Sequence, residues 1–339
     1  MGSRRPHCIF WQSLWRSNTV AESLPEVFLQ RCAAILSAED LAALLSAHAS
    51  PPVAVRWTGC PESLHEASAY LHAHEISTSP VAWYDHAWRV QFADREVLVR
   101  LPWVESQQIF VQSLSSMAAV LNMGILPGMD ILDLCAAPGA KTSLIRRLQQ
   151  GSGVLVANDV SQARTQRLKH LLNMQGFDGI DVQTGDARSL GGVMESCFDR
   201  VLADVPCSGE GRFVRARPEA WSTWNERSIS MLAKRQLKLL ESACRCLRVG
   251  GEVLYATCTM APEENEGVLH QFFDRRARRG DFGMSMVPIE WAVDQRRPPL
   301  SQWRGVVFRD EVKESVRVVA GDGMTPFFMA RLRREPSKQ

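Results

Sequence analysis

The sequence ILDLCAAPGAK, at residues 131–141, is the most informative segment of the chain for predicting its fold. Ile131 to Leu134 has the pattern of a buried strand, and a helix is predicted to begin near Lys141. The small residues between them let the backbone approach a ligand closely, and the helix start offers free N–H groups. The stretch matches neither the Walker loop nor the G-x-G-x-x-G turn, so a triphosphate or a pyrophosphate is not the expected ligand.

The same alternation of strand and helix continues along the chain. Further strands are predicted at 153–159, 180–184, 198–203 and 252–257, and a long helix at about 228–247. Regular alternation predicts an α/β fold, a doubly wound and mostly parallel sheet of the Rossmann-like kind. A helix at about 264–276 and strands at 316–319 and 327–332 complete a domain expected over residues 105–335.

Residues 1–104 are predicted to form a smaller N-terminal region. Apolar residues at three- to four-residue spacing predict helices over 24–48, which Pro51-Pro52 ends. A strand at 53–57, a helix from Pro61 to about His74, and strand-like segments at 81–84, 88–92 and 97–101 follow. This order predicts a small α+β module.

The composition excludes several classes of protein. The chain has 339 residues, of which 45% are hydrophobic and 22% charged, which is typical of a soluble globular protein. No apolar run approaches the roughly 20 residues that span a bilayer, so no membrane partner is expected. The nine cysteines include no pair at C-x-x-C spacing, so we expect free thiols, no metal and a reducing compartment. We expect a cytoplasmic monomer; an organellar presequence is the alternative, because no acidic residue precedes Glu22.

Acidic residues end the first three predicted strands. In a sheet of this kind ligands bind outside the carboxyl ends of the strands. Asp159 is placed to accept hydrogen bonds from ribose hydroxyls, and Asp186 to bond an adenine amine. Each acid alone is more simply a solvated residue, but three in succession, with Asp133, favour a nucleoside ligand.

Two cysteines lie at the tips of the next two strands. The fourth strand ends in DVPCSGEG, residues 204–211, and the fifth in TCT, residues 257–259. A lone cysteine is usually a small buried apolar residue, which suits Cys32, Cys197, Cys244 and Cys246. It suits Cys207 and Cys258 poorly, because both stand at the ligand-binding edge. A disulfide between them is the alternative, which the thiol-rich composition disfavours.

The strings DLCAAPGAKT, DVPCSGEG and YATCTMAPEENE resemble the cofactor loop and the two cysteine motifs of the NOL/NOP/Sun family. Members of that family are RNA (cytosine-5) methyltransferases that use S-adenosylmethionine. The resemblance covers about residues 105–335 and is closest to the bacterial RsmF-type branch, which acts on ribosomal RNA. Residues 24–101 more weakly resemble the helical lead-in and small RNA-binding module of the family. RNA is therefore the expected partner, with ribosomal RNA favoured and transfer RNA as the alternative.

The resemblance also implies a role for each matching residue. Cys258 would be the nucleophile and Cys207 would assist release of the product. Asp204 would bond the target base, and Lys141 would polarise the base and help hold a thiolate. The residues expected to contact S-adenosylmethionine are Cys135, Ala136, Ala137, Pro138, Gly139, Ala140, Lys141, Asp159, Arg164, Asp186 and Asp204.

Three positions depart from the family pattern. Ala140 replaces a second glycine of the loop, Arg56-Trp57-Thr58 stands where the small module normally has Arg-x-Asn-Thr, and Pro326-Phe327-Phe328 replaces Gly-Phe-Phe. The second change puts the RNA contacts of the module in doubt.

Arginines are predicted at two places near the expected RNA path. Arg212, Arg215 and Arg217 are placed to hold phosphates beside the target base, whereas Arg275, Arg276, Arg278 and Arg279 are predicted to form a solvated helix face. Trp221 and Trp224 are predicted to pack in the core rather than to stack on bases.

Two other functions were weighed against this assignment. Enzymes that methylate an exocyclic amine typically carry Pro-Pro-aromatic after the acid of the fourth strand, and Val205-Pro206-Cys207 does not match it. A non-catalytic RNA-binding assembly factor is expected to have lost a cysteine or an acid of the site, and none is missing.

Overall fold

The computed structural model describes residues 24–59, 63–215, 217–279, 283–291 and 293–336. Residues 1–23, on which a presequence depends, and Pro61, where a helix is predicted to begin, lie outside the described residues. In the described ranges a four-stranded sheet and a separate two-stranded ribbon accompany a nine-stranded sheet. No helix in those ranges combines the length and the apolar character that a membrane crossing needs.

The N-terminal part consists of two helices and a small sheet. The helices are α1 (Glu26–Ile35) and α2 (Ala38–Ala49). The sheet contains β1 (Val53–Trp57), β2 (Thr78–Pro80), β3 (Ala87–Val90) and β4 (Ile109–Val111), in the order β2-β3-β1-β4 with antiparallel neighbours throughout. Helix α3 (Leu64–Ala73) packs Ala67 and Leu71 into the core of this sheet.

Two of the strands predicted in this region are wrong. Residues 97–101 fall on and after a short helix, α4 (Arg95–Leu98), which is followed by α5 (Pro102–Glu105). Leu98, Leu101 and Val104 recur at every third residue and are buried, whereas Val97 is 53% exposed, so the apolar period is helical. Residues 81–84 form a turn in which the Tyr84 N–H donates to Val81 O, and the strand precedes it as β2.

The predicted doubly wound sheet is confirmed. Its parallel part has the order β7-β6-β5-β8-β9. The strands are β5 (Ile131–Asp133), β6 (Leu155–Asp159), β7 (Ile180–Thr184), β8 (Phe198–Asp204) and β9 (Leu247–Thr257). The helices of this part are α6 (Leu114–Leu121), α7 (Ala140–Leu148), α8 (Gln162–Met174), α9 (Leu190–Val193) and α10 (Glu226–Cys246). The direction of the strand order reverses at β5, which is the position where such sheets bind ligands.

Antiparallel strands extend the sheet beyond β9. Helix α11 (Glu266–Arg279) leads to β10 (Met284–Val287), and β15 (Phe327–Arg334) pairs with β9. β10 and β14 (Val316–Val318) pair with β15, and β11 (Arg296–Arg297) pairs with β14. β12 (Gln302–Trp303) and β13 (Val306–Val307) form the two-stranded ribbon.

Helix α10 holds β8 and β9 in place from one face. Its residues Leu237, Leu240 and Ala243 are buried in one core with Val201 and Tyr255. Burying a leucine side chain contributes about 1.5–3 kcal/mol, so this face fixes where the two strands end.

The small sheet contacts the large one through arginines. Arg56 on β1 is 0% exposed; its Nε donates to Gln112 and its Nη2 donates to Ser143 of α7, at 2.9 and 2.8 Å. Arg147 of α7 donates to Thr58 O at 2.7 Å. Arg56, one of the altered motif residues, therefore joins the two sheets instead of facing solvent.

The N-terminal helices pack on the segment that follows β8. Phe28 of α1 and Leu44 of α2 share a core with Phe213 and Trp221. Arg31 of α1 forms a salt bridge with Glu263 at 2.7 Å. These helices therefore cover the region between the two cysteine motifs.

Candidate active site

The loop after β5 is fixed in position by contacts with α8 and with the end of β6. Gly139 has a φ of 115° and precedes α7, and a Cβ there would lie 2.6 Å from Leu168. The Ala137 N–H donates to Asp159 at 3.3 Å, and Arg164 donates to the Ala137 carbonyl. Residues 135–140, Asp159 and Arg164, all predicted to contact a cofactor, therefore lie together at one edge of the sheet.

The acids at the strand ends differ in their surroundings. Asp159 is 2% exposed and also accepts a hydrogen bond from the Ser161 N–H at 3.0 Å. Arg188 donates hydrogen bonds to both carboxylate oxygens of Asp186, and these bonds lower the pKa of Asp186 to about 2. Asp133 is 1% exposed and accepts from Thr142 at 2.7 Å; burial raises its pKa to about 7. Asp133 thus supports the start of α7, and only the other two acids border the ligand edge.

The two candidate cysteines meet at the ends of β8 and β9. The Cys207 and Cys258 sulfurs are 3.3 Å apart, within hydrogen-bond distance, and both cysteines are free. Four other cysteines are expected to be small buried apolar residues. This prediction is confirmed for Cys32, Cys244 and Cys246 and wrong for Cys197, which is exposed. Cys197 directly precedes β8, where the chain emerges from the core.

Charged groups surround the sulfur of Cys258. Lys141 forms a salt bridge with Asp204 at 2.7 Å. The hydrogen bond from Cys207 lowers the pKa of Cys258, the positive charges of Arg212 and Lys141 lower it further, and burial opposes them. The same hydrogen bond, together with burial, raises the pKa of Cys207. These influences favour Cys258 over Cys207 as the more acidic thiol of the pair.

Two buried carboxylates tie the cysteine loops together. Glu210 is 2% exposed and accepts hydrogen bonds from Thr259 Oγ1 at 2.8 Å, the Met260 N–H at 3.0 Å and Trp224 Nε1 at 3.0 Å. Glu264 is 0% exposed and accepts from the Ser208 N–H at 3.0 Å. Sequence reasoning assigned neither acid a role, although both belong to the quoted cysteine motifs.

The predicted packing of the tryptophans is confirmed. Trp221 is 6% exposed, and the Trp224 ring stands edge-on to Phe28 with 5.6 Å between ring centroids. Trp224 is partly buried and also lines a pocket together with Cys207. His48 of α2 adds a further contact, because its Nε2 donates to Glu210 O at 3.1 Å.

The arginines after Cys207 do not form the single phosphate-binding group that the sequence suggests. Arg215 is exposed, and its N–H donates to His48 O. Arg217 is only 9% exposed, so its placement as a phosphate contact is wrong. In the second cluster Arg275 pairs with Glu241 and Arg278 with Asp274, as a solvated helix face requires.

No group of histidine, cysteine, aspartate and glutamate side chains suited to a metal ion is found in the part of the chain that the structure describes. Within the site, the carboxylate of Asp204 is paired with Lys141, and the sulfurs of Cys207 and Cys258 are within hydrogen-bond distance of each other.

Solved structures with the same fold include two from Pyrococcus horikoshii. One, titled a methyltransferase homolog protein, has a TM-score of 0.73 at 23% identity and covers 92% of this chain and 100% of its own. The other, titled NSun6 with SFG, has a TM-score of 0.77 at 18% identity and covers 92% of this chain and 98% of its own. At these identities the likeness establishes the fold.

Sequence relatives are more similar. Ribosomal RNA small subunit methyltransferase F of Vibrio cholerae serotype O1 is 34% identical over 252 residues, which are 73% of this chain and 53% of that protein. The protein of the same name from Serratia proteamaculans is 29% identical over 78% of this chain and 54% of its own length. The chain thus spans about half the length of these relatives. The sequence model described as 16S rRNA methyltransferase RsmB/F matches residues 121–333, and the chain belongs to that family.

Proposed function

We propose that this protein transfers a methyl group from S-adenosylmethionine to carbon 5 of a cytidine in ribosomal RNA, through a covalent bond between Cys258 and carbon 6 of the base. The observation that carries the proposal is the pair of sulfurs, 3.3 Å apart at the ends of adjacent parallel strands. The Lys141–Asp204 salt bridge lies beside them. The names of the relatives favour ribosomal RNA over transfer RNA.

The residues at the edge of β5 and β6 fit this methyl donor. The side chains of Ala136 and Ala137 are small, so the loop backbone leaves room for a ligand. Asp159 ends β6 where a ribose would lie, and the next residue, Val160, is 53% exposed and offers an apolar surface to an adenine ring. Bound there, S-adenosylmethionine would supply an electrophilic methyl group on a sulfonium.

The first task of the site is to activate the base. Carbon 5 of cytosine is a weak nucleophile, but addition of a thiolate to carbon 6 turns the ring into an enamine. Cys258 supplies that thiolate. Asp204 bonds the exocyclic amine or ring nitrogen 3, and Lys141 stabilises the charge that develops on addition.

The second task is to release the product. After methylation a base removes the proton from carbon 5, and that electron pair restores the double bond to carbon 6. The Cys258 sulfur then leaves as a thiolate. The Cys207 thiol lies 3.3 Å from that sulfur and, as a hydrogen-bond donor, stabilises it as it leaves.

The target base has to leave its helix or be unpaired before it reaches Cys258. Arg215, exposed beside the cysteine loop, is placed to hold a neighbouring phosphate. The small N-terminal module extends the same RNA surface in this proposal.

The test uses the full chain, ribosomal RNA lacking the modification, and donor with a tritiated methyl group. Cys258→Ala abolishes incorporation. Cys207→Ala traps a covalent protein–RNA adduct that survives a denaturing gel. Cys197→Ala, at an exposed cysteine away from the pair, is the matched control. An adduct trapped by Cys258→Ala exchanges the two roles, and wild-type turnover in that variant refutes the nucleophile.

Analysis of the labelled base separates this function from its rivals. 5-Methylcytidine supports the proposal, a methylated exocyclic amine contradicts it, and no incorporation favours a non-catalytic RNA-binding factor. Bisulfite sequencing of RNA from a strain lacking the gene then identifies the nucleotide and decides between ribosomal and transfer RNA.

A further inference from the structure

A short turn after Cys207 lies directly on the backbone of Cys258. Residues Glu210–Arg212 form a single 3₁₀ turn. The Gly211 N–H donates to Cys258 O at 3.0 Å. A Cβ on Gly211 would lie 3.1 Å from Cys258 O and would clash with Pro326 O, so a larger residue does not fit without a shift of the backbone. The turn and the backbone of Cys258 are therefore packed as one unit.

Glu210 fixes the orientation of this turn. Its carboxylate accepts hydrogen bonds from Thr259 and Met260, the two residues that directly follow Cys258. The turn is thus attached to Cys258 itself through Gly211 and to the next two residues through Glu210. A side chain on the turn consequently has a defined position relative to the Cys258 sulfur.

Arg212 is the last residue of the turn, and its side chain folds back toward the cysteine loop. Its N–H donates to Gly209 O at 2.8 Å, and a Cβ on Gly209 would lie 3.1 Å from Arg212 Nη2. Although Arg212 is exposed on one side, its positive charge is close enough to Cys258 to lower the pKa of that thiol.

We propose that Arg212 is the cation that keeps the Cys258 sulfur a thiolate and ready to attack the base. The inference rests on the proposed role of Cys258 as nucleophile and adds a residue to that site. An arginine stays protonated at any physiological pH, so its charge is always present.

The other titratable groups that face the sulfur do not replace Arg212. They are Cys207, Asp204 and Lys141. Lys141 is paired with Asp204 at 2.7 Å, so much of its charge is offset. The charges of Arg212 and Cys258 shift each other's pKa in opposite directions, upward for the guanidinium and downward for the thiol.

The test measures the alkylation of Cys258 by iodoacetamide as a function of pH, with the modified peptide quantified by mass spectrometry. The full-length wild type is compared with Arg212→Met, Arg212→Lys and Arg215→Met. We expect Arg212→Met to shift the midpoint upward by about 1 to 3 pH units, the usual effect of removing an opposite charge at this range. Arg212→Lys retains most of the wild-type midpoint. Arg215→Met, at an exposed arginine three residues along, leaves it unchanged.

An unchanged midpoint in Arg212→Met overturns the inference. If that variant also raises the KM for RNA and weakens its dependence on salt, Arg212 is a phosphate ligand. Thermal unfolding checks that each variant is folded, and Arg212→Gln replaces Arg212→Met if the latter does not fold. Because alkylation needs neither RNA nor donor, a wild type that alkylates as expected but methylates no RNA refutes the proposed function and leaves this inference standing.

Discussion

Replacing Glu210 by alanine tests whether the two cysteine loops depend on one buried carboxylate. The change removes the shared acceptor of Thr259 Oγ1, the Met260 N–H and Trp224 Nε1, and Thr259 keeps Ser208 Oγ as a partner at 2.7 Å. An unsatisfied buried donor costs about 1–3 kcal/mol, which gives about 2–6 kcal/mol for the other two. Burial also raises the pKa of Glu210, so removing the carboxylate relieves a desolvation cost and places the expected loss near the lower end. We expect a loss of about 3 kcal/mol in the free energy of unfolding.

Glu210→Gln separates the hydrogen bonds from the charge. One oxygen of the amide still accepts, but its NH₂ group faces a donor, so we expect a smaller loss of about 1–3 kcal/mol. The assay is urea unfolding followed by tryptophan fluorescence, together with alkylation of Cys258 under native conditions. Glu219→Ala, at an exposed acid of the same segment, is the control. If Glu210→Ala unfolds at the same urea concentration as Glu219→Ala, and Cys258 reacts as in the wild type, the carboxylate does not join the loops.

Three further predictions concern the surroundings of the site. Arg317 donates two hydrogen bonds of 2.6 Å to the carboxylate of Glu266, which is 0% exposed. Arg317→Met should lower the free energy of unfolding, measured in urea, by about 3–5 kcal/mol, because it leaves a buried charge unpaired. The double variant with Glu266→Met should recover most of that loss. Gly211→Ala should lower the rate of methyl transfer, because the added Cβ displaces the backbone of Cys258. Gly192→Ala is the control, because an added Cβ there meets nothing within 4 Å. Equal activities of the two variants would contradict the tight packing of Gly211 on Cys258. Burial raises the pKa of Glu264 from 4.5 to about 7, so its contribution to stability is full below pH 4.5 and is lost as the pH rises through about 7. Glu264→Gln should make the unfolding midpoint less dependent on pH between 4.5 and about 7. The same pH dependence in this variant and in the wild type would refute the raised pKa of Glu264.

The large sheet is the part of the fold that the sequence predicts best. Its strands are short apolar runs such as Ile131–Asp133, and each ends in a polar residue at a turn, so their limits are encoded locally. The cysteine pair follows from the same logic, because the carboxyl ends of neighbouring parallel strands meet at one edge. Residues 97–101 mislead because apolar residues at successive positions suit a strand, although only every third one is buried.

What the sequence does not reveal depends on contacts between distant segments. Nothing in the sequence around Arg56 indicates that it is buried, yet it is enclosed by Gln112 and Ser143, which belong to later segments. Glu210 reads as a loop acid, and it is buried because Trp224 and residues beyond Cys258 close over it. Such burial has no periodic signature within the segment itself.

The packing of α1 and α2 has a practical consequence for anyone dividing this chain into fragments. The recognisable family match begins at residue 121, but a fragment cut there would lose Phe28 and Leu44 from the cluster that contains Phe213 and Trp221. Those aromatic rings would then be open to water on the segment between the two sulfur-bearing loops, which invites aggregation. The smallest piece that keeps the packing around the two cysteine loops therefore starts before α1, and the limits of the family match are not the limits of the packed unit.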